Sequence, residues 1–264
     1  MKILYELPEQ RPKRRGRVFT ILLIVLLDSL LVVALILFFP LLTGSANRHL
    51  TSFDWAGYVV ASDLNSPQPV VTNISASWAV PTVNVSIGDS LSAAWIGVGG
   101  QFDDTLIQAG TEQDSTNGLE TYTAWYELLP RGAVTIGSLS VSPGDTITAS
   151  ISLLDPTTDT WSIGINDVTE GQAFQKSFVY DSSMLSAEWI VERPTVNNRV
   201  GALADFGELT FTGCTAMIGS KVGTVSSFPS IEVTMNNRQD VELVSVSPFA
   251  SQNSSFTVNY LANG

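Results

Sequence analysis

From Phe53 onward the chain is built from short segments rich in Val, Ile, Thr, Ser, Tyr and Trp. They recur about every ten residues and are separated by Gly, Pro, Asn and Asp, the pattern of strands and turns. The candidate strands are Val70–Ala79, Leu91–Val98, Thr105–Ala109, Thr121–Leu128, Thr146–Leu153, Thr160–Asn166, Ala173–Phe178, Ala187–Glu192, Leu209–Thr212, Ile231–Asn236 and Val241–Val246. Ser142-Pro143-Gly144-Asp145 reads as a tight turn. No stretch in this region keeps an apolar stripe at helical spacing over a useful length, although Asp181–Leu185 can form one turn. Many short strands without intervening helices predict an all-β antiparallel sandwich or barrel. No fixed-period repeat or domain-scale linker divides it, so residues 53–264 are expected to form one domain.

The N-terminal part follows different rules. Residues 1–17 hold six Lys/Arg against Glu6 and Glu9, and Pro8 and Pro12 oppose a long helix. Residues 18–42 are almost wholly apolar, interrupted by Asp28. A bilayer core takes about 20 apolar residues as a helix, longer than the apolar core of a signal peptide. Lys13, Arg14, Arg15 and Arg17 directly precede the run, which puts the N-terminus in the cytoplasm and the rest outside. The expected order is a cytoplasmic basic tail (1–17), a single-pass transmembrane anchor in the cell membrane (18–42), a stalk (43–52) and an extracellular β domain (53–264). The alternative is a secreted protein cut near Ala46, after the small residues Gly44 and Ser45. Asn73, Asn84 and Asn253 stand in glycosylation sequons, which matter only in a host that glycosylates.

Charge and rare residues exclude several functions. Beyond residue 42, seven basic residues face 22 acidic ones, a net charge of −15. That surface excludes nucleic acid as a partner of the domain, which would need a basic patch. It suits either simple solubility at neutral pH or work in acid, where protonated carboxyls leave little positive self-repulsion. Cys214 is the one cysteine, so no internal disulfide forms. His49 is the one histidine. The domain therefore has no Ser-His-Asp triad, no Cys-His pair and no histidine zinc site. There is no Asp-Thr-Gly or Asp-Ser-Gly pair, no Gly-x-Ser-x-Gly elbow and no phosphate loop. Asp103, Asp104 and Asp114 match no calcium-loop spacing, so no metal and no cofactor is expected. Carboxylates, amides and hydroxyls remain.

Alternation narrows them. In Ala187–Pro194, Trp189 and Val191 take one face while Glu188, Ile190 and Glu192 take the other. A carboxylate among apolar neighbours costs several kcal/mol unless solvated, paired or protonated. This face is either wet, as in an ordinary exposed strand, or built for chemistry. Gln108 shares a face with Leu106, and Trp125 with Glu127. Trp95 precedes the glycines Gly97, Gly99 and Gly100, which allow close backbone approach.

Taken together, seven segments resemble the glutamic peptidases, or eqolisins, in order and spacing. They are Trp55-Ala56-Gly57, Trp78-Ala79-Val80-Pro81, Ala94–Gly100, Leu106–Gly110, Ala124-Trp125-Tyr126-Glu127, Ala187–Pro194 and Leu203-Ala204-Asp205-Phe206-Gly207. The resemblance implies a sandwich of two many-stranded antiparallel sheets, of concanavalin-like or jelly-roll type, one of them concave and holding a cleft. It implies acid endopeptidase activity on polypeptides. The family's Gln/Glu catalytic pair falls on Gln108 and Glu188, with Trp95, Glu127 and Trp55 as substrate-binding residues and Glu192 and Asp205 in support. Fungal members carry Asp where Gly99 and Thr123 stand, and some carry disulfides. The anchor, unlike the secreted fungal members, suggests a membrane-anchored, prokaryotic-type member. Two other readings fit the acidic surface domain: a cell-surface glycoside hydrolase, and a non-catalytic carbohydrate-binding or adhesion module. The last expects Gln108 and Glu188 on unrelated surfaces.

Overall fold

A computed structural model describes residues 47–68, 70–196, 199–249 and 254–264. The basic tail, the apolar run with Asp28 and the candidate cleavage site lie outside these residues. Among the described residues no helix is long and apolar enough to cross a membrane.

The first nine strands are β1 (Arg48–Ser52), β2 (Trp55–Val60), β3 (Val71–Ala79), β4 (Ser90–Gly99), β5 (Leu106–Thr116), β6 (Leu119–Leu128), β7 (Val134–Ser140), β8 (Thr146–Asp155) and β9 (Thr160–Asp167). The rest are β10 (Gln172–Val179), β11 (Ala187–Glu192), β12 (Thr195–Val196), β13 (Arg199–Val200), β14 (Glu208–Ile218), β15 (Lys221–Thr224), β16 (Ser230–Asn236), β17 (Glu242–Val246) and β18 (Phe256–Tyr260). The described residues contain no α-helix, only single 3₁₀ turns at Val85–Ile87 and Val225–Ser227.

One ladder runs β10-β9-β8-β3-β14-β18-β17-β16-β2-β11-β4-β5-β6-β7, with β1 beside β16 and β15 beside β14. It is a single sheet because β14 serves two neighbours. Glu208–Phe211 pair with β18 and Thr212–Ile218 with β3, across a bulge that contains Gly213. The ends of the path nearly meet, where Ser140 N–H on β7 donates to Gln172 Oε1 on β10 at 2.9 Å. The sheet is barrel-like and nearly closed, with its two arms joined through β14.

The core lies where the sheet folds back on itself. β3 turns Ile74, Ala76 and Trp78 inward, β9 turns in Trp161, Ile163 and Ile165, and β11 supplies Trp189 and Val191. Apart from Ala76, each such side chain contributes about 1.5–3 kcal/mol by leaving water. Two indoles bridge the facing arms: Trp78 Nε1 donates to Thr111 on β5 at 3.0 Å, and Trp189 Nε1 to the Ser75 carbonyl on β3 at 3.1 Å. Cys214 is buried with a free thiol.

The other face of the β14-β3-β8-β9-β10 arm carries no charge over three ladder rows. One row reads Thr212, Ser77, Thr148, Asn166; the next Thr215, Ser75, Ser150, Gly164, Gln175; the third Asn73, Ser152, Ser162, Ser177. Several of these groups bond one another, including Asn73 Nδ2 to Ser152 Oγ at 2.6 Å and the Ser75 and Thr215 hydroxyls at 2.7 Å.

Strands from Leu91–Val98 and Thr121–Leu128 onward start and stop within a residue or two of expectation, with two exceptions. Thr105–Ala109 continues as β5 to Thr116, and Leu209–Thr212 as β14 to Ile218. β2, β7, β12, β13, β15 and β18 escape the sequence pattern. In β2 the reason is Gly57, whose φ is +146°: a Cβ there would stand 2.1 Å from the Trp189 carbonyl oxygen, so only glycine lets β2 and β11 lie this close. Asp181–Leu185 forms no helical turn. Part of the expected stalk is sheet, since β1 pairs in parallel with β16 and His49 Nδ1 approaches Glu232 Oε1 at 3.5 Å.

Candidate active site

Register places the candidate residues on one face of five adjacent strands, β2, β11, β4, β5 and β6. Directly opposed residues in an antiparallel pair point the same way. One row reads Val59, Glu188, Gly97, Gln108, Glu127. The next reads Gly57, Ile190, Trp95, Gly110, Trp125, and the third Trp55, Glu192, Ala93, Glu112, Thr123. Gln108 and Glu188 are therefore two strands apart, roughly 10 Å between Cα atoms. The residue between them has no side chain. A surface module would have left the two on unrelated surfaces.

Gly97 makes the gap usable. A Cβ at this position would stand 2.8 Å from Leu106 Cδ1, 2.9 Å from Trp95 Cζ3 and 3.4 Å from Glu188 Oε2. The Glu188 carboxyl thus leans over Gly97 toward β5. Glu188 is fully buried, and neither of its oxygens has a protein hydrogen-bond partner. Burial raises its pKa well above the ordinary carboxylate range; the neighbouring Ser186 hydroxyl opposes this in part, and the Asp103 charge adds to it. Gln108 is 5% exposed. Its Nε2 donates to Glu127 Oε2 at 2.6 Å, while its Oε1 has no partner. Burial raises Glu127 as well, against the Gln108 hydrogen bond. A buried polar atom left unpaired costs about 1–3 kcal/mol. Both Glu188 oxygens and Gln108 Oε1 are such atoms, and Glu188 Oε2 stands beside Gly97.

Trp95 lies along the same face and ties two rows together. One edge of its indole sits over Gly97, and its Nε1 donates to Glu192 Oε2 at 2.7 Å. Trp95, expected among the substrate-binding residues, is wholly buried and forms a packed plate under this face. Trp55 meets it edge-on at 5.0 Å between ring centroids. Glu192 is pushed up to about 8, chiefly by burial. A cleft of about 250 Å³ opens beside this plate. Its floor holds Gln108, Glu112, Glu127 and Glu192, Trp125 forms part of the wall, and Pro194, Thr195 and Val196 overhang it. Glu188 stands just outside the cleft, across Gly97.

The structure brings Gln108, Glu188, Glu127, Trp95, Trp55 and Glu192 together on this face. Asp205 is elsewhere: its Oδ2 accepts from Asn84 Nδ2 at 3.1 Å and its Oδ1 from Gly207 N–H at 3.1 Å, so it organises the turn before β14. Sequence reasoning missed Glu112 and considered Asp114 only as a calcium candidate. They are neighbours on the cleft side of β5; burial raises both, and burial with the Glu112 charge lifts Asp114 to about 7. The signal was available, because Glu112 is four residues from Gln108 and so on the same face of any strand long enough to hold both. No group of three or more His, Cys, Asp or Glu suited to a metal occurs among the described residues.

Comparison with known proteins adds a relationship to this geometry. A model of the Peptidase A4 family matches residues 54–260. Aspergillopepsin-2 of Aspergillus niger is 28% identical over 245 residues, covering 83% of this chain and 81% of that protein. Scytalidopepsin B of Scytalidium lignicola is 28% identical over 223 residues, covering 79% of this chain and 80% of that protein. Among solved structures, scytalido-glutamic peptidase bound to a transition-state analog inhibitor superposes with a TM-score of 0.66 at 21% identity, over 80% of this chain and 99% of that one. Aspergilloglutamic peptidase from Aspergillus niger gives a TM-score of 0.57 at 27% identity, over 65% of this chain and 99% of that one.

Proposed function

Because this chain belongs to the Peptidase A4 family and is a glutamic-type endopeptidase, we propose that it cleaves polypeptides in acid with Glu188 and Gln108 as its catalytic pair. The carrying observation is their place on one ladder row with only Gly97 between them, with Glu188 Oε2 beside Gly97 and with both Glu188 oxygens and Gln108 Oε1 buried without a partner. Peptide hydrolysis needs a base for water, an acid for the leaving amine and donors for the oxyanion. The ionised Glu188 takes a proton from water as the water attacks the scissile carbonyl. The same carboxyl then gives that proton to the departing nitrogen. Gln108 Oε1 holds the water, and its second amide N–H meets the developing oxyanion while the first stays on Glu127. A raised pKa leaves fewer Glu188 ionised in acid, but makes each a stronger base and makes the protonated form available as donor. Glu127 orients the amide, and Glu192 holds Trp95 against Gly97. In this reading the two facing arms of the sheet act as the layers of a sandwich.

The test is digestion of a denatured protein across acid to neutral pH by the native chain and by Glu188→Gln. Loss of cleavage in the variant, with unchanged far-UV circular dichroism, is expected; undiminished acid proteolysis overturns the assignment. We also place the enzyme at the cell surface, held by residues 18–42, with release near Ala46 as the alternative. Membrane fractions that retain activity after alkaline carbonate washing support the anchor, and activity in the medium supports release.

A further inference from the structure

We propose that the pocket behind the β12–β13 hairpin is an oxyanion-binding site. Its volume is about 460 Å³, enough for a sulfate or an acidic side chain with its water. Arg193, Arg238, Asn237 and Gln239 line it together with Phe53 and Val200, and Gly264 closes one side. No Asp or Glu side chain is among these residues, in a domain whose acidic residues outnumber basic ones threefold. Two of its seven basic residues line this pocket; among the described residues neither has an ion pair within 4 Å, although the Asp54 charge acts on Arg193 from outside the lining. Two guanidiniums and two amides supply donors in excess of acceptors, the chemistry that recognises carboxylate, sulfate or phosphate.

Arg193 is fixed before any ligand arrives. It is 8% exposed, its Nη2 donates to the Phe53 carbonyl at 2.8 Å and its own N–H to the Asp54 carbonyl at 2.8 Å. Its Nε is buried with no partner. Nη1 reaches the wall at Gly264, 2.4 Å from where a Cβ would stand, so any larger residue there would block the guanidinium. A buried Arg with unspent donors is costly to keep unless something is bound at its open side. Arg238 lines the same pocket from the exposed turn between β16 and β17.

The site is wired to the cleft by a short path. Arg193 directly follows Glu192. Thr195 and Val196 of β12 overhang the catalytic cleft, while Val200, paired with Thr195, lines this pocket. An anion bound here steadies the hairpin whose other strand covers the cleft. The anion comes either from the medium as an inorganic oxyanion or from a polypeptide substrate as an acidic side chain; the second source rests on the peptidase reading above.

The test uses the full chain and Arg238→Gln, an exposed substitution that leaves the core alone. At pH 5.5, thermal unfolding is followed while sodium sulfate replaces sodium chloride at fixed ionic strength. A saturable rise in midpoint is expected for the native chain, and a loss of one charge-assisted contact should make Arg238→Gln require about ten-fold more sulfate. Equal responses of the two proteins, or a rise that never saturates, overturn the site. In a second arm, peptides cleaved at a common sequence are extended with Glu or Gln. A KM lower for the Glu peptide, equalised by Arg238→Gln and raised by sulfate, assigns the site to substrate. Sulfate binding without a Glu preference assigns it to free inorganic anion.

Discussion

Gly97→Ala is the sharpest test of the gap between Glu188 and Gln108. The new methyl would meet Leu106 Cδ1 at 2.8 Å and Trp95 Cζ3 at 2.9 Å, both closer than side-chain carbons tolerate. Leu106 can yield by a rotation of its terminal methyls. Trp95 cannot yield freely, because its indole N–H is held by Glu192 at 2.7 Å. Overpacking of this kind costs about 1–3 kcal/mol, while replacing glycine recovers about 0.4–1 kcal/mol from the unfolded chain. The net loss is about 1–2 kcal/mol, or roughly 2–8 °C in melting temperature for a domain of this size. The effect on catalysis should be far larger than that. The methyl occupies the space in which water must sit between base and amide, and a displacement of about 1 Å in reacting groups costs roughly 100-fold. The assay pairs thermal unfolding with kcat/KM on a quenched peptide in acid. Gly137→Ala, whose Cβ would meet nothing within 4 Å, is the control and should change neither. A Gly97→Ala enzyme that melts a few degrees lower yet keeps its native kcat/KM would refute the claim that chemistry occurs over Gly97.

Glu192→Gln should keep activity within about three-fold, since an amide oxygen still accepts from Trp95 and the native carboxyl is already neutral in acid, whereas Glu192→Ala should lose about ten-fold or more by freeing the indole; equal losses in the two variants would remove the hydrogen bond from the explanation. Stability should be greatest in acid. Glu188, Glu192, Glu112, Asp114 and Glu127 all have pKa values raised in the folded state, so their protonated forms favour folding below the unfolded carboxylate range and that contribution fades as pH climbs through each folded value, about 7 for Asp114 and about 8 for Glu192. Melting temperatures measured from pH 3 to 8 should therefore fall toward neutrality; a rise over the upper half of that range would show that these carboxyls are solvated.

The residues on β11 illustrate what the sequence can and cannot disclose. Alternation alone put Glu188 and Glu192 on one face, and the strand was found with its observed ends. What alternation could not supply was the neighbour. That Gln108 stands across Gly97 is a matter of register among β11, β4 and β5, and register is set by long-range packing. The extension of β5 was hidden for a related reason. Thr111-Glu112-Gln113-Asp114-Ser115 has the composition of a turn, and only tertiary burial makes it a strand. Trp95 was identified as a site residue from its segment, but its burial depends on Trp55 and Glu192 arriving from other strands. Asp205 shows the opposite error, a residue placed with the site by association whose side chain caps a local turn.

The Ser, Thr, Asn and Gln rows on the β14-β3-β8-β9-β10 arm bear on how such a molecule stays dispersed. An acidic protein relies on mutual repulsion at neutral pH, and acidification removes it as the carboxylates discharge. Near the pH where net charge vanishes, repulsion offers no protection. A grid of hydroxyls and amides titrates nowhere in that range and keeps its bound water throughout. The arm opposite the cleft is thus a polar surface indifferent to acid, so colloidal stability and the proposed catalytic protonation fall to different arms of one sheet.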